Sequence, residues 1–240
     1  MKHALGFDPR KIPWTRQLQD WPALPSASLS AERLKWIFKN PPDWTPELKR
    51  EPLIGQRAPQ AAAVLMPIVM RGEDGQDPHL LLTQRTQHLS SHPGQIAFPG
   101  GKVDPEDATL EQAALREAQE EVGLESEFVE ILGQLPSYVT GTSFHITPVV
   151  ALVSPHHTIT TNANEVEFTF EVPMSFLMNP QNHRLHEWDR DGILRRWYSM
   201  PYPASSPNKD PAHADYFIWG ATAGMIRNFY RSIRILTRNH

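Results

Sequence analysis

The sequence predicts an α+β fold around one mixed sheet, and three observations carry that expectation. Strand-length apolar runs and amphipathic helical stretches are mixed without regular alternation, which disfavours a doubly wound parallel sheet. The 240 residues are 40% hydrophobic, enough for one good-sized core or one core with an appendage. Many of the 23 prolines lie in the first 60 residues, so residues 1–60 read as an N-terminal extension docked on a main domain of residues 61–240.

Within the extension, "SAERLKWIFKN" reads as a short helix that begins near Ser30 and is stopped by Pro41 and Pro42. Trp14, Trp21, Trp36 and Trp44 mark the extension as a segment that packs on something. From Ala61 onward, "AAVLMPIVM" and "HLLLTQR" read as strands separated by the turn "RGEDGQDP". A helix is expected from about Thr109 to Val122, followed by strands in "EFVEILGQL", "ITPVVALV" and "VEFTFEV". A short helix should follow Pro173, and "HEWDRDGILRRWYSM" reads as a hairpin turning at Asp191-Gly192. The last helix, from about Trp219 to Leu236, carries Ala223, Ile226, Phe229, Tyr230 and Ile233 at helical spacing.

Composition removes several function classes. A net charge of -4 and a pI near 6.3 give no basic field for nucleic acid. The absence of cysteine excludes disulfides, thiolate metal sites and a Cys nucleophile, and it fits a reducing cytoplasm. "MKHALGFDPRKIPW" lacks the apolar run of a signal peptide, and "AAAVLMPIVM" is too short to span a bilayer, so no membrane partner is expected. The 11 histidines show no zinc spacing, and the serines of "SASLS" and "SSP" lack a partnered base.

The chemistry is concentrated in "REAQEE". On a helix Glu117, Glu120 and Glu121 fall within an arc of roughly 100°, where like charges repel. Leu115, Ala118 and Val122 form a separate apolar stripe expected to face the core, with Ala113 and Ala114 keeping the surface beside the acids shallow. Arg116 stands four residues before Glu120 and can pair with it. A solvated acidic face would interleave lysines, which are missing here, and the helix follows the pair Gly100-Gly101. Crowded carboxylates become favourable around a hard divalent cation, which takes oxygen ligands and bridges to substrate phosphate.

Residues 101–124 resemble the Nudix box, G-x5-E-x7-R-E-U-x-E-E-x-G-U, with U an apolar residue. Arg116-Glu117-Ala118-Gln119-Glu120-Glu121-Val122-Gly123-Leu124 matches its second half, and Gly101 supplies the opening glycine. At the first acid the chain carries Asp107, followed by eight residues before Arg116 rather than seven; Asp107 either replaces that acid or caps the helix. Upstream, "LLTQRTQHLSSHPGQIAFPGG" is similar to LLT-x-R-(S/A)-x3-R-x3-G-x3-FPGG, the motif of coenzyme A pyrophosphatases within the Nudix superfamily. Leu81-Leu82-Thr83, Arg85, Gly94 and Phe98-Pro99-Gly100-Gly101 match, whereas Thr86 stands for Ser or Ala and Ser90 for Arg. "TGTSFHITPVVA", "NEVEFTFEVPMSFL" and "YFIWGATAGMI" also look like segments of that branch.

The resemblance implies a Nudix-type α/β/α sandwich with a mixed central sheet. It also implies metal-dependent cleavage of a nucleoside diphosphate derivative, coenzyme A giving 3′,5′-ADP and 4′-phosphopantetheine. It places Mg²⁺ or Mn²⁺ on Glu117, Glu120, Glu121 and the Gly101 carbonyl. Glu117 is a ligand or the general base; Glu165, in "NANEVEF", is a second base candidate or an ordinary loop glutamate. Arg116 joins the catalytic candidates, and Arg85, Gly94, Phe98 and Gly100 are candidates for holding substrate. The alternatives are a Nudix hydrolase of ADP-ribose or a dinucleotide, and a non-catalytic ligand-sensing protein of the same fold. The extension either covers the site or lines the interface of a homodimer.

Overall fold

A computed structural model of the chain describes residues 7–16, 21–53, 58–89, 92–190, 192–203 and 215–237. Ser90, Asp191 and the serines of "SSP" lie outside the described residues. In chain order the elements are β1 (Trp14–Thr15), α1 (Ala31–Lys39), β2 (Gln60–Arg71), β3 (Asp77–Arg85), β4 (Ile96–Ala97), β5 (Gly100–Lys102) and α2 (Leu110–Val122). These are followed by β6 (Val129–Gln134), β7 (Tyr138–Val139), β8 (Phe144–Val153), β9 (Val166–Pro173) and α3 (Met174–Leu177). The chain continues through β10 (Arg184–Arg190), β11 (Ile193–Pro203), β12 (Asp215–Trp219) and α4 (Gly220–Thr237).

The run "AAVLMPIV" makes β2 the central strand, because it is buried on both faces. On one side β2 runs parallel to β8; on the other it pairs antiparallel with β5 along its first half and with β3 along its second. Alternate residues of β2 feed two cores. Ala63, Leu65 and Val69 meet Ala113, Ala114, Ala118 and Val122 of α2, together with Val149 and Ala151 of β8. Val64, Met66 and Ile68 face the other way, toward Ile226, Phe229 and Ile233 of α4 and Leu34 and Ile37 of α1. The result is the expected helix–sheet–helix layering with a mixed central sheet.

A second, antiparallel sheet with the order β1-β10-β11-β12 was not expected. The hairpin in "HEWDRDGILRRWYSM" forms as β10 and β11, in register from Arg184↔Ser199 to Arg190↔Ile193. Trp219 ends strand β12 instead of opening the last helix, which begins at Gly220 with φ +64. That glycine turns the chain within one residue, so the strand and helix patterns abut with no loop between them.

The extension is fastened into the core. Ser30 caps α1 by accepting a hydrogen bond from the Arg33 N–H at 3.3 Å, and Leu29 and Leu34 are buried. Glu47 accepts from buried Arg227 at 3.0 Å and from Arg231 at 3.4 Å, while Arg227 also stacks under Trp21, 4.6 Å from its ring centre. Among the described residues no helix is long and apolar enough to cross a membrane. Because β5 borders the first half of β2 and Arg85 ends β3 beside Val166 of β9, the loops that carry the acids and Arg85 gather at one end of the sheet.

Candidate functional site

Helix α2 is held at both ends and pressed flat against the sheet. Thr109 caps its start by accepting from the Gln112 N–H at 3.2 Å, and Gly123 closes it with φ +65 in the left-handed region. Ala113 and Ala114 are fully buried in the core rather than lying beside the acids, so they do not shape the site's surface. Their small size lets the helix approach β2 and β5 closely. Leu115 is only half-buried; the inner row is Ala114, Ala118 and Val122, residues four apart.

That close approach sets the geometry of the acids. A methyl group at Gly101 would stand 2.5 Å from Oε1 and 2.6 Å from Cδ of Glu117, so the carboxylate rests directly against the glycine. Gly100, at φ +152, passes equally near the β2 backbone: an added Cβ would stand 2.5 Å from the Ala63 oxygen. One turn beyond Glu117, Glu121 is 3% exposed and accepts the Gly100 N–H at 3.1 Å, with Arg85 Nη1 3.5 Å from its other oxygen. Glu120 projects outward, its side chain 57% exposed.

Arg116 organises the cluster. Its Nη1 donates to Glu117 and to Glu120, both at 3.2 Å, and its Nη2 donates to the Lys102 carbonyl at 3.1 Å. Its other edge forms a fork with Asp107, Nε to Oδ1 at 3.1 Å and Nη2 to Oδ2 at 2.9 Å. Asp107 pairs with Arg116, and Thr109 supplies the helix cap. The Arg116 hydrogen bonds hold the Asp107 carboxyl below the usual carboxylate range, helped by the Asp104 N–H.

Burial pushes the Glu121 carboxyl up to about 7; the Gly100 N–H and Arg85 oppose the rise, and Glu117 and Glu165 add to it. Burial also raises Glu117, against the pull of Arg116 and with the repulsion of Glu120 and Glu165. Glu165 therefore belongs electrostatically to the same group. Its backbone oxygen accepts the Thr86 N–H at 2.9 Å, which hangs the loop from the end of β3. Asn162, which the sequence reading did not single out, clamps this loop: its N–H donates to the Glu121 carbonyl at 2.9 Å and its side chain to Glu165 at 3.4 Å. "NAN" announces a turn but not a clamp on the acidic helix.

Two other sequence-derived candidates have structural surroundings. Phe98 is 2% exposed and belongs to the core beneath β5. Gly94 occupies a left-handed turn at φ +67, its N–H directed to the Thr86 carbonyl at 3.4 Å.

The donors gathered here are hard oxygens, and burial with mutual repulsion makes ionised Glu117 and Glu121 costly without a cation. That chemistry fits a divalent metal. Among the described residues no three acid or imidazole side chains already converge on one point; Arg116 pairs with Glu117 and Glu120, and Arg85 lies 3.5 Å from Glu121.

A family model described as the NUDIX domain matches residues 60–218. The "Uncharacterized Nudix hydrolase NudL" of Shigella flexneri is 39% identical over 191 residues, spanning 79% of this chain and 89% of that protein. The protein of the same name from Citrobacter koseri is 42% identical over 175 residues, spanning 72% and 83%. Among solved structures, a C. elegans Ap4A hydrolase binary complex aligns with a TM-score of 0.40 and 22% identity, over 48% of this chain and 80% of that one.

A carboxyl whose pKa is raised on folding costs stability once it ionises. Metal-free protein should therefore lose stability as pH rises from about 4.5 through about 7, the interval between the unfolded and folded values for Glu121. Thermal unfolding with chelator present should show this fall in wild type and a flatter one in Glu121→Gln. Identical pH profiles would contradict the assignment.

Proposed function

Because the chain belongs to the NUDIX domain family, and is thus a Nudix hydrolase acting on a nucleoside diphosphate derivative, we propose that its substrate is coenzyme A or an acyl derivative. The products would be 3′,5′-ADP and 4′-phosphopantetheine or its acyl form. The observation that carries this reading is that three of the residues matching the coenzyme A motif lie at the acidic helix: Arg85 is 3.5 Å from Glu121, and Gly100-Gly101 lies against Glu117 and Glu121. Ser90, in place of the motif's Arg, favours the second reading, a Nudix pyrophosphatase of ADP-ribose or a dinucleotide. The cysteine-free composition fits a cytoplasmic enzyme.

Glu117, Glu120, Glu121 and the Gly101 carbonyl would hold Mg²⁺ or Mn²⁺. The cation supplies charge neutralisation of the diphosphate and acidification of the attacking water. Arg116 keeps Glu117 and Glu120 on one side of the helix, and Asp107 keeps Arg116 in place. Arg85 presents a guanidinium fork to a phosphate oxygen. Glu165 is the proposed proton acceptor: it carries no salt bridge among the described residues, and the one side-chain donor to it is Asn162 at 3.4 Å.

Hydrolysis assays with Mg²⁺ or Mn²⁺ across coenzyme A, ADP-ribose and diadenosine polyphosphates test the substrate. Coenzyme A should be cleaved with release of 3′,5′-ADP, and preference for either other class would replace the first reading with the second. Asp107→Asn should lower kcat by about tenfold or more with little change in KM, since the neutral side chain loses the charge-assisted fork. Asp107→Glu should recover part of that loss. Wild-type kcat in Asp107→Asn would remove its positioning role.

A further inference from the structure

The acid helix and the loop that carries Glu165 are bonded into one unit. The last carbonyls of a helix have no partner within it. In α2 those of Glu121 and Val122 are taken by the loop, Asn162 N–H donating to Glu121 O and Thr160 N–H to Val122 O, both at 2.9 Å. Gly123 makes room for this. A Cβ there would stand 3.0 Å from the Thr160 oxygen and 3.2 Å from its nitrogen. The glycine that stops the helix at φ +65 therefore also seats the loop against its end.

Asn162 then folds the loop back toward the acids. Its carbonyl accepts from the Glu165 and Val166 N–H groups, both at 2.9 Å, and its Oδ1 accepts from the Asn164 N–H at 3.2 Å. With Oδ1 so engaged, Nδ2 faces Glu165 and donates to Oε1 at 3.4 Å. The other side of the loop hangs from β3: Thr86 donates its N–H to Glu165 O at 2.9 Å and its hydroxyl to Asn164 O at 3.2 Å. The Glu165 backbone is thus fixed from two sides, and Asn162 is what orients its carboxylate. An amide, unlike a guanidinium, orients a carboxylate and leaves it its charge.

Resting on the reading of Glu165 as proton acceptor, we propose that Asn162 is a positioning residue for the hydrolysis. It holds Oε1 and leaves Oε2 for the attacking water. An O–H bond of that water breaks, its proton going to Oε2, while the water oxygen bonds phosphorus and the bridging oxygen leaves with its electron pair. The reference point is the helix itself, because the residue that aims Glu165 is bonded to the backbone of Glu121, the most buried of the three acids.

Asn162→Ser in the full chain separates this role from a structural one. Serine keeps the backbone bonds to α2 and accepts the Asn164 N–H through its hydroxyl, while the donor to Glu165 is lost. Hydrolysis of coenzyme A, ADP-ribose or diadenosine tetraphosphate, whichever wild type cleaves with Mg²⁺, should show kcat lowered about tenfold with KM unchanged, the scale of a hydrogen bond to a charged group. Mn²⁺ affinity, read by electron paramagnetic resonance, and the unfolding temperature should match wild type, since Gly101, Glu117, Glu120 and Glu121 are untouched. In a Glu165→Gln background the same change should cost nothing more, because a residue that acts through Glu165 has nothing left to aim. Wild-type kcat in Asn162→Ser, or losses that multiply in the double variant, would overturn the proposal and leave Glu165 as the base. A fall in Mn²⁺ affinity that matches the fall in kcat would overturn it too, making Asn162 a support of the metal site. Wild-type kcat in Glu165→Gln would remove the base reading, and the role of Asn162 with it.

Discussion

The arrangement depends on one contact, the Glu117 carboxylate resting against the bare Cα of Gly101. A helix bearing three acids can lie this close to a strand only if the strand carries no side chain there and the helix is small on its inner row. Gly101 meets the first condition, and Ala113, Ala114 and Ala118 meet the second. Once the helix is so near, Glu121 is carried under the surface, where the Gly100 N–H is within hydrogen-bonding distance. The acids are thus of three kinds, one exposed, one half-covered and one buried, and burial raises the carboxyl pKa of the last two.

Such crowding needs compensation, and the chain supplies part of it. Arg116 touches two of the three acids, and the fork from Asp107 prevents it from simply collapsing onto either. Arg85 answers Glu121 from the other side. These cations relieve the repulsion while leaving hard oxygen donors at the surface, which is the electrostatic condition for a divalent cation to bind. The loop from Asn162 to Glu165, fixed both to the end of α2 and to β3, brings in a further acid from a distant part of the sequence.

The helix half of this arrangement was legible in the residues themselves. "LREAQEEVGL" states its periodicity, its acids and its glycine stop within ten positions, and the strands of "AAVLMPIVM" and "ITPVVALV" state theirs by continuous apolar character. What could not be read was fixed by distance in space. Asp107 reads equally well as a cap or as a replacement for the missing acid, and its pairing with Arg116 shows only in space. Ala113 and Ala114 lie one turn before the acids, and only contact with β2 shows that they are core. The second sheet escaped because its pieces are short or abut other elements: β1 is a dipeptide strand, and β12 runs directly into α4.

The close approach at Gly101 can be tested by itself. Gly101 has ordinary backbone angles, and a Cβ there would meet the end of a flexible side chain, so Gly101→Ala should fold. The decisive quantity is its Mn²⁺ affinity, titrated by electron paramagnetic resonance beside wild type. The expected result is binding weakened by about tenfold or more, as Glu117 is pushed off the glycine, with an unfolding temperature near that of wild type. Mn²⁺ affinity equal to wild type in a folded Gly101→Ala protein would contradict the central role given to that contact.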